Sequence, residues 1–368
     1  MKIAFLLNSL QTGGAEIHTV DLASALQKQG HECLLFPLLP SAQISDRGLD
    51  CRTVNGNGLS DIAALRRLSG LLKDTAPNLV VAVNERPMMY AHLTRLIGAP
   101  TIPTAVIYHT TKLPRGKQRF LHRLAAPMFA RSDALVYVSE NQRRYWTNEG
   151  LTARSVNTIH NGIDMSRFSP SAVNRYRRQS RAKLGYTADD YVIGLSAAFR
   201  PEKNHLQALD AIAALRAAGV SAKLLLIGDG DTLPIVRRYA EDLGIIETVI
   251  FAGRQTDVVP WLTAIDVGLL TSTAIETFSL AALEIMALGI PCILSDTGGA
   301  SEMIDEGQTG RLFPVGDTSV LVARLTELAV TPVRHAMGQA AAKKVGEKFT
   351  HGRMVKSYDK LLRSIVVQ

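Results

Sequence analysis

The sequence predicts an α/β protein with two doubly wound domains, each built on a parallel sheet. The chain has 368 residues, which exceeds one typical domain and suits two α/β domains of about 170 residues each. Short apolar runs alternate with helical stretches along the chain, as is typical of parallel sheets covered by helices on both faces. The second half repeats this alternation, so each half is expected to form its own sheet.

The composition indicates a globular chain with anionic partners. Its residues are 46% hydrophobic and 20% charged, and no apolar run reaches the ~18 residues that a membrane span needs. The net charge of +8 favours nucleotide sugars, acidic glycans or an anionic membrane. No recognisable nucleic-acid module is present, so nucleic acid is not an expected partner. Cys33, Cys51 and Cys292 lack metal-site spacing and fit a reducing cytoplasm.

The first half begins with an apolar run at residues 2–8, which is too short for a signal peptide and indicates a buried strand. Further strands are predicted at 31–36, 79–83, 104–108, 134–138 and 156–159, and helices at about 15–29, 61–73 and 117–130. Gly13 and Gly14 form a turn before the first helix, where the backbone can approach a ligand closely. The turn lacks the G-x-G-x-x-G pattern of dinucleotide-binding proteins.

His109 follows the predicted strand 104–108. Open α/β sheets bind ligands at this end of their strands, although a loop histidine is also often simply solvated. A basic stretch then runs into a helix and contains Lys112, Arg115, Lys117, Arg119, His122 and Arg123. Two interpretations of this stretch stay open: a solvated charged face, or a docking surface for an anionic membrane or an acidic acceptor.

The second half is predicted to begin with a polar linker at 169–179 that leads into a helix at about 174–184. Strands follow at 191–196, 223–227, 248–251, 266–270 and 291–294, with helices at about 204–217, 231–242 and 279–288. Arg200 and Lys203 lie between the first strand and the next helix. A guanidinium fork and an ammonium group there suit the oxygens of a departing diphosphate, which they would neutralise without a metal.

The segment from 267 to 294 predicts strand, polar loop, helix and strand. Four backbone amides lie at or near the predicted helix start, where a phosphate is favoured; they belong to Thr277, Phe278, Ser279 and Leu280. Glu276 precedes them and Glu284 lies within an otherwise apolar helix, where a carboxylate needs hydrogen bonds. Carboxylates on both sides of a phosphate cradle suit a sugar nucleotide. The plainer alternative is a capping Glu followed by a surface Glu.

In this context Glu276-x7-Glu284, with Glu-Thr-Phe-Ser before the helix and Leu-Gly-Ile-Pro-Cys after it, resembles the E-x7-E segment of retaining family 4 glycosyltransferases of the GT-B fold. The resemblance covers essentially the whole chain. It extends to Gly13-Gly14-Ala15-Glu16, His160-Asn161-Gly162-Ile163-Asp164, Arg200 to Lys203, Phe251-Ala252-Gly253-Arg254, and Thr297-Gly298-Gly299 with Glu302.

The resemblance implies two Rossmann-like domains facing across a cleft. The first, at 1–168, would lie on the acceptor side and be completed by a C-terminal helix within 350–368. The second, at 169–349, would bind the nucleotide sugar. Glu276 would contact the transferred sugar, Glu284 the ribose and His109 the sugar. Further roles implied are diphosphate binding by Arg200 and Lys203, ligand contact by Gly13 and Gly14, a turn near the nucleotide at Gly228, and contact of Arg254 with diphosphate or base.

The implied activity is transfer of a hexosyl unit with retention, from a UDP-sugar in preference to GDP-mannose, to a glycan or lipid-linked acceptor. Same-face attack and a covalent intermediate both stay open. Lipopolysaccharide or surface polysaccharide synthesis, in the cytoplasm or on the inner face of the plasma membrane, is the expected setting. No metal or cofactor is expected: Asp229-Gly230-Asp231 matches the metal motif of the GT-A fold, but here it follows a strand, with Asp231 explained as a helix N-cap.

Three rival functions are weaker. A UDP-amino-sugar epimerase of the same fold is disfavoured by the context of Glu276 and Glu284. A glycan-binding relative without catalysis is disfavoured because Arg200 and Lys203 are also retained. A nicotinamide-dependent dehydrogenase is disfavoured because the glycine fingerprint is missing.

Overall fold

A computed structural model describes residues 1–11, 13–40, 46–56, 58, 61–111, 117–274 and 276–367, without the side chains of 117–121. The chain divides into two units, Met1–Asn161 with Arg353–Gln368, and Gly162–Gly352. The division precedes the expected one at 168/169. Hydrogen bonds explain this: the amide of Ile163 donates to Phe349 O (2.8 Å), and the amide of His351 donates to Ile163 O (2.9 Å).

Each unit contains one parallel sheet, as predicted. The first sheet has the strands β1 (Lys2–Leu7), β2 (Glu32–Pro37), β3 (Asp50–Cys51), β4 (Leu79–Val83), β5 (Thr104–Tyr108), β6 (Ala134–Tyr137) and β7 (Val156–Thr158). The second has β8 (Tyr191–Ser196), β9 (Ala222–Ile227), β10 (Val249–Gly253), β11 (Val267–Leu270), β12 (Cys292–Ser295) and β13 (Gly310–Phe313).

The strand orders are β3-β2-β1-β4-β5-β6-β7 and β10-β9-β8-β11-β12-β13. Both begin with the order of the doubly wound Rossmann fold, so the direction of winding reverses between β1 and β4 and between β8 and β11.

The helices of the first half are α1 (Gly14–Lys28), α2 (Ile62–Thr75), α3 (Glu85–Leu93), α4 (Lys117–Ala130) and α5 (Glu140–Asn148). Those that follow are α6 (Pro170–Lys183), α7 (His205–Ala217), α8 (Leu233–Asp242), α9 (Val259–Leu262), α10 (Leu280–Ala287), α11 (Ala300–Met303), α12 (Thr318–Leu328), α13 (Thr331–Lys348) and α14 (His351–Val366). In the described part of the chain, none of them is both long and apolar enough to cross a membrane.

The core of the first unit lies on both faces of its sheet. Alternate residues of β1, such as Ile3 and Phe5, pack in the cluster that contains buried residues of α1 and α14. Ala4 and Leu6 point to the opposite face and pack with α2. The last helix therefore completes the first unit. It begins at His351, shortly after α13 ends at Lys348.

The predicted linker at 169–179 is wrong, because Ser169 is the N-cap of α6 and Pro170 its first residue. Proline suits this position, where its missing N–H is not needed. The predicted N-cap role of Asp231 is also wrong: α8 begins at Leu233 after Thr232. The amide of Thr232 donates to Phe199 O (3.1 Å), so the preceding turn is attached to the loop after β8 instead of opening the helix.

Candidate active site

Two loops, which follow the adjacent strands β8 and β11, carry three of the predicted donor residues of the second unit. Val267 pairs with Ile193 between these strands, where the winding of the sheet reverses. Ligands of doubly wound sheets bind outside the strand ends at this point. The first loop carries Arg200 and Lys203, and the second carries Glu276.

The two loops are hydrogen-bonded to each other. The Thr271 hydroxyl donates to the carbonyl oxygens of Lys203 (2.9 Å) and Asn204 (3.0 Å). The amide of Thr273 donates to Glu202 O (2.8 Å). The backbone around Lys203 is thus fixed relative to the strand end that leads to Glu276.

Lys203 and Glu276 are in direct contact. Lys203 Nζ lies 2.7 Å from Glu276 Oε2, and their side chains are 21% and 13% exposed. Oε2 also accepts a hydrogen bond of 3.0 Å from the Ser272 hydroxyl. Among the described residues, Oε1 has no hydrogen-bond partner. The carboxylate is therefore held through one oxygen, and the other is available to accept hydrogen bonds from a ligand.

Arg200 differs from Lys203 in its surroundings. It is exposed and immediately precedes the 3-10 helix Pro201–Lys203, and its carbonyl accepts from the Lys203 amide (3.0 Å). Within the described ranges, no side chain pairs with its guanidinium. The site thus presents one cation held by a carboxylate and one that remains in contact with solvent.

The turn at Gly228 supports the loop after β8. Gly228 has φ +141°, and an added Cβ would lie 2.0 Å from Ala197 O. The amide of Phe199 donates to Asp229 O (2.9 Å), and the Asp229 carboxylate accepts from the Gly230 amide (2.8 Å). No group of three or more His, Cys, Asp or Glu in the described part of the chain is placed to hold a metal. The role of Gly228 in this turn is to let its backbone pack closely against Ala197.

A second glycine turn supports Glu276. Gly298 has φ +58°, and an added Cβ would lie 1.5 Å from Glu276 O. The amide of the neighbouring Gly299 donates to Thr277 O (3.0 Å). The backbone of Glu276 and Thr277 thus rests on this turn, which only glycine can form so closely.

The predicted phosphate cradle lies at the start of α10. Ser279 is the N-cap, and its hydroxyl accepts from the Ala282 amide (3.2 Å). The amide of Leu283 donates to Ser279 O, so the amide of Leu280 precedes the first intrahelical hydrogen bond. The Phe278 ring packs edge-on against Phe349, with 5.3 Å between centroids. Phe278 can therefore offer a ligand its backbone but not its ring.

Glu284 and Arg254 lie farther from the ion pair along the chain. Glu284 is half-buried, one turn into α10. Arg254 is exposed and follows Gly253, the last residue of the edge strand β10. The Gly253 carbonyl accepts from the Gly228 amide (2.9 Å), so Arg254 is anchored beside the Gly228 turn.

In the first unit, His109 follows β5. Its amide donates to Asn84 Oδ1 (2.7 Å), and Asn84 directly follows β4. Burial lowers the pKa of His109 to about 4, so its imidazole is neutral near pH 7. Its ring packs edge-on against His18 of α1, with 5.1 Å between centroids. A neutral imidazole can both donate and accept a hydrogen bond.

Gly13 and Gly14 begin α1. Gly13 is the N-cap, and a Cβ there would lie 2.3 Å from Glu16 Oε2. An added Cβ at Gly14 would meet no heavy atom within 4 Å. The atom close to Gly13 is the end of a flexible side chain, which can move, so packing of the described residues does not by itself require glycine at Gly13 or Gly14.

The basic stretch after His109 is described only in part. Lys112 and Arg115 lie outside the described residues, as do the side chains of Lys117 and Arg119. His122 is buried, with Nδ1 3.2 Å from Glu85 Oε1, so it does not belong to a solvated face. Arg123 is exposed.

Comparison with known proteins identifies the family of the chain. Residues 12–167 match the family model described as glycosyltransferase family 4, and residues 176–344 match the model of glycosyl transferases group 1. The N-acetyl-alpha-D-glucosaminyl L-malate synthase of Bacillus anthracis is 31% identical over 278 residues, which cover 75% of this chain and 71% of that protein. The chain is a family 4 glycosyltransferase.

Two further relatives extend over most of this glycosyltransferase. A GDP-mannose-dependent alpha-mannosyltransferase of Mycobacterium tuberculosis is 26% identical over 86% of this chain and 85% of its own. The solved structure of Anabaena HepE in complex with UDP superimposes with a TM-score of 0.87, at 22% identity, over 99% of this chain and all of that one. The GT-B fold predicted from the sequence is thereby confirmed.

Sequence reasoning missed several residues that organise this glycosyltransferase. Ser272 holds the Glu276 carboxylate, Asn84 holds the His109 backbone, and His18 packs on the His109 ring. Each follows a strand or lies near a helix start, but these positions are common. Only the three-dimensional contacts distinguish them.

Proposed function

We propose that the protein is a retaining, metal-independent glycosyltransferase that moves a hexosyl unit from a UDP-sugar to a glycan or lipid-linked acceptor. The contact between Lys203 and Glu276 at the switch point of the second sheet carries the proposal. It joins a cation suited to a diphosphate and a carboxylate suited to sugar hydroxyls. A donor with its diphosphate at Lys203 and its sugar at Glu276 would have its scissile bond between these two side chains.

The cations would supply most of the catalysis. Arg200, Lys203 and the amides at the start of α10 would neutralise charge that develops on the departing diphosphate. Preorganised donors are effective for this because they need little reorganisation during the reaction. Arg200 has no side-chain partner among the described residues, so it can turn to the ligand without breaking an ion pair.

The carboxylates and the histidine would orient the donor. Glu276 would accept hydrogen bonds from sugar hydroxyls at Oε1, while Ser272 and Lys203 hold Oε2. Glu284 would bind the ribose, and Arg254 the diphosphate or base. His109, neutral because burial lowers its pKa to about 4, would hydrogen-bond the transferred sugar. Gly13 and Gly14 would let the backbone at α1 approach the ligand.

The proposal of retention rests on the resemblance of Glu276-x7-Glu284 to the family's segment, and both same-face attack and a covalent intermediate are compatible with it. A UDP-sugar is our preferred donor because a protein of the same fold, HepE, was solved with UDP-glucose. The GDP-mannose dependence named for the mycobacterial relative makes GDP-mannose the alternative. For the acceptor, the net charge of +8 favours an acidic glycan or a lipid-linked one at the inner face of the plasma membrane, in lipopolysaccharide or surface polysaccharide synthesis.

A thermal-shift screen in EDTA tests the donor site. The panel contains UDP, GDP, ADP, UDP-glucose, UDP-galactose, UDP-N-acetylglucosamine and GDP-mannose. A ligand at 100 times its dissociation constant stabilises the folded state by roughly 2.7 kcal/mol, which is readily measured. We expect UDP and one UDP-sugar to raise the melting temperature. A response only to GDP-mannose would correct the base, and a response that needs metal would overturn metal independence.

A matched pair of variants tests whether the nucleotide-induced shift in melting temperature depends on Lys203. Lys203→Ala should lose most of the nucleotide-induced shift. Lys223→Ala is the control, because Lys223 is another paired lysine of the same unit, 2.9 Å from Asp190. This variant should keep the nucleotide-induced shift. Equal losses in both variants would contradict the site. With the donor known, NMR of the product's anomeric proton tests retention.

A further inference from the structure

A row of three aromatic rings connects the C-terminal helix to His109 within the first unit. His18 in α1 is only 3% exposed. Its ring lies 5.1 Å from that of His109, with 71° between the planes. It also lies 5.7 Å from the ring of Tyr358 in α14, with 62° between the planes. Both are edge-to-face contacts, the geometry that aromatic pairs prefer.

The backbone contact of His109 does not fix its ring. The hydrogen bond to Asn84 Oδ1 comes from the His109 amide, so it sets the position of the main chain. Rotation of a histidine ring about its last side-chain bond is broad and has no sharp staggered minima. A neighbouring ring packed at a defined angle restricts that rotation, and His18 supplies such a neighbour.

Tyr358 in turn restricts His18. It is fully buried and lies in the same core cluster as Met354 and Leu362 of α14. His18 is thus packed between a ring anchored in the core and the ring of His109. A residue on α1 and one on the last helix thus form a continuous row of packed rings that ends at the imidazole of His109.

We propose that His18 is a positioning residue, whose ring holds the His109 imidazole in the orientation that hydrogen-bonds the transferred sugar. This proposal rests on the proposed role of His109 in transfer. Its effect should fall on turnover: a misaligned hydrogen-bonding group lowers the rate of the chemical step, whereas Arg200 and Lys203 would still bind the diphosphate.

The test uses His18→Ala, His18→Phe, His109→Ala and the double variant His18→Ala/His109→Ala. Release of nucleoside diphosphate is measured with UDP-glucose, UDP-N-acetylglucosamine and GDP-mannose. We expect His18→Ala to lower kcat by about 10- to 100-fold, the scale of small misplacements in active sites, with little change in the donor KM. His18→Phe keeps a ring and should recover most of kcat. In the His109→Ala background, His18→Ala should have almost no further effect.

Val20→Ala is the matched control, because Val20 is fully buried on the same helix and lies in the same core cluster. It should lower the melting temperature while leaving kcat near that of wild type. Additive losses in the double variant, or a kcat loss in Val20→Ala as large as in His18→Ala, would overturn the positioning role.

NMR of histidine-labelled protein separates this proposal from the proposed function. The His109 ring signals should shift in His18→Ala and return toward their wild-type positions in His18→Phe. Unchanged His109 signals in His18→Ala would overturn the proposal whatever the activity. If the signals shift but His109→Ala transfers sugar normally, the assigned role of His109 fails, and the positioning proposal falls with it.

Discussion

At the residue scale, Lys203 is proposed to bind the diphosphate while it also forms an ion pair with Glu276. It is assigned to the diphosphate, yet its ammonium contacts Glu276 at 2.7 Å. An ammonium group has three donors, so one can hold Glu276 Oε2 while the others face phosphate oxygens. The ion pair is then part of the working site, and each partner sets the position of the other.

Lys203→Ala should therefore lower turnover far more than stability. The pair is only partly buried, and such substitutions typically cost no more than about 1 kcal/mol of folding free energy. We expect kcat/KM to fall at least 100-fold, because the variant lacks the positive charge that would stabilise the departing diphosphate. Kinetics and chemical denaturation measure the two effects, and parallel losses of activity and stability would contradict the assignment.

The same pair predicts non-additivity. Residues in contact commonly show coupling energies of 0.5–3 kcal/mol, roughly, in double-mutant cycles. Lys203→Ala and Glu276→Gln should therefore cost less activation free energy together than the sum of their separate effects. Arg200→Ala and Glu276→Gln form the comparison cycle, since Arg200 has no such ion pair in the described part of the chain. Equal coupling in both cycles would mean that the contact with Lys203 has no special role.

Gly298 gives a test of the backbone at Glu276. A Cβ there would lie 1.5 Å from Glu276 O, and the residue has φ +58°. Gly298→Ala must displace the Glu276 backbone, so we expect loss of the UDP-induced thermal shift and a strong fall in kcat. Gly316→Ala is the control, because it also has a positive φ (+81°) but no heavy atom within 4 Å of an added Cβ. A normal nucleotide response in Gly298→Ala would show that Glu276 tolerates the shift.

At the element scale, the strands were the most predictable part. The runs 79–83, 104–108 and 191–196 agree with β4, β5 and β8, because strands buried on both faces are continuously apolar. The start of helix α6 was misplaced, because the helix was expected from about 174 and begins at Pro170. Its inward residues include Arg177 and Arg181, which bind the buried Asp266, so burial of this helix, unlike that of the strands, gives no apolar pattern in the sequence.

This arginine cluster explains why the polar helix is well held. Asp266 is 6% exposed. Its Oδ2 lies 2.6 Å from Arg181 Nη2 and accepts from the Val192 amide (2.8 Å), while Arg177 binds Oδ1. Arg334 Nη2 lies 3.7 Å from Asp266 Oδ1. One carboxylate thus joins α6 and α13 to the sheet.

Removing that carboxylate's charge should destabilise the second unit strongly. Breaking a buried ion pair costs roughly 3–5 kcal/mol because the remaining charges are left uncompensated. Asp266→Asn should show this loss in urea denaturation. Asp257→Asn removes the partner of Arg167 at an exposed pair and should change stability by no more than about 0.5 kcal/mol. Similar small effects in both variants would show that the arginines are satisfied by carbonyl groups alone.

At the scale of the whole molecule, contacts between the candidate site residues depend on strand pairings between distant parts of the chain. Arg200, Lys203 and Glu276 were assigned separately, from a strand end and a helix start. Their proximity follows from the pairing of β8 with β11, whose residues are far apart in the chain. Contacts such as that of Gly298 with Glu276 depend on such long-range packing, for which a single sequence has no local signal.

Buried histidines make the stability of the whole chain depend on pH. Burial lowers the pKa values of His92, His109 and His205 to about 4, below the usual 6.5. Above pH 6.5 these groups are neutral in both folded and unfolded chains, so their full contribution is present. Between pH 6.5 and about 4 the unfolded chain binds more protons. Stability therefore falls as the pH is lowered through this window, by up to about 3 kcal/mol for each such histidine.

His205 offers the sharpest test of this dependence. Its ring stacks on Phe199 at 4.1 Å, and neither ring nitrogen has a hydrogen-bond partner among the described residues. His205→Phe keeps the stacking and removes the proton-binding site. The variant should lose less stability than wild type between pH 7 and pH 4.5 in urea denaturation. His335→Gln, at an exposed position, should follow the wild-type curve, and a His205→Phe curve of unchanged slope would show that His205 is protonated as readily in the folded chain as in the unfolded one.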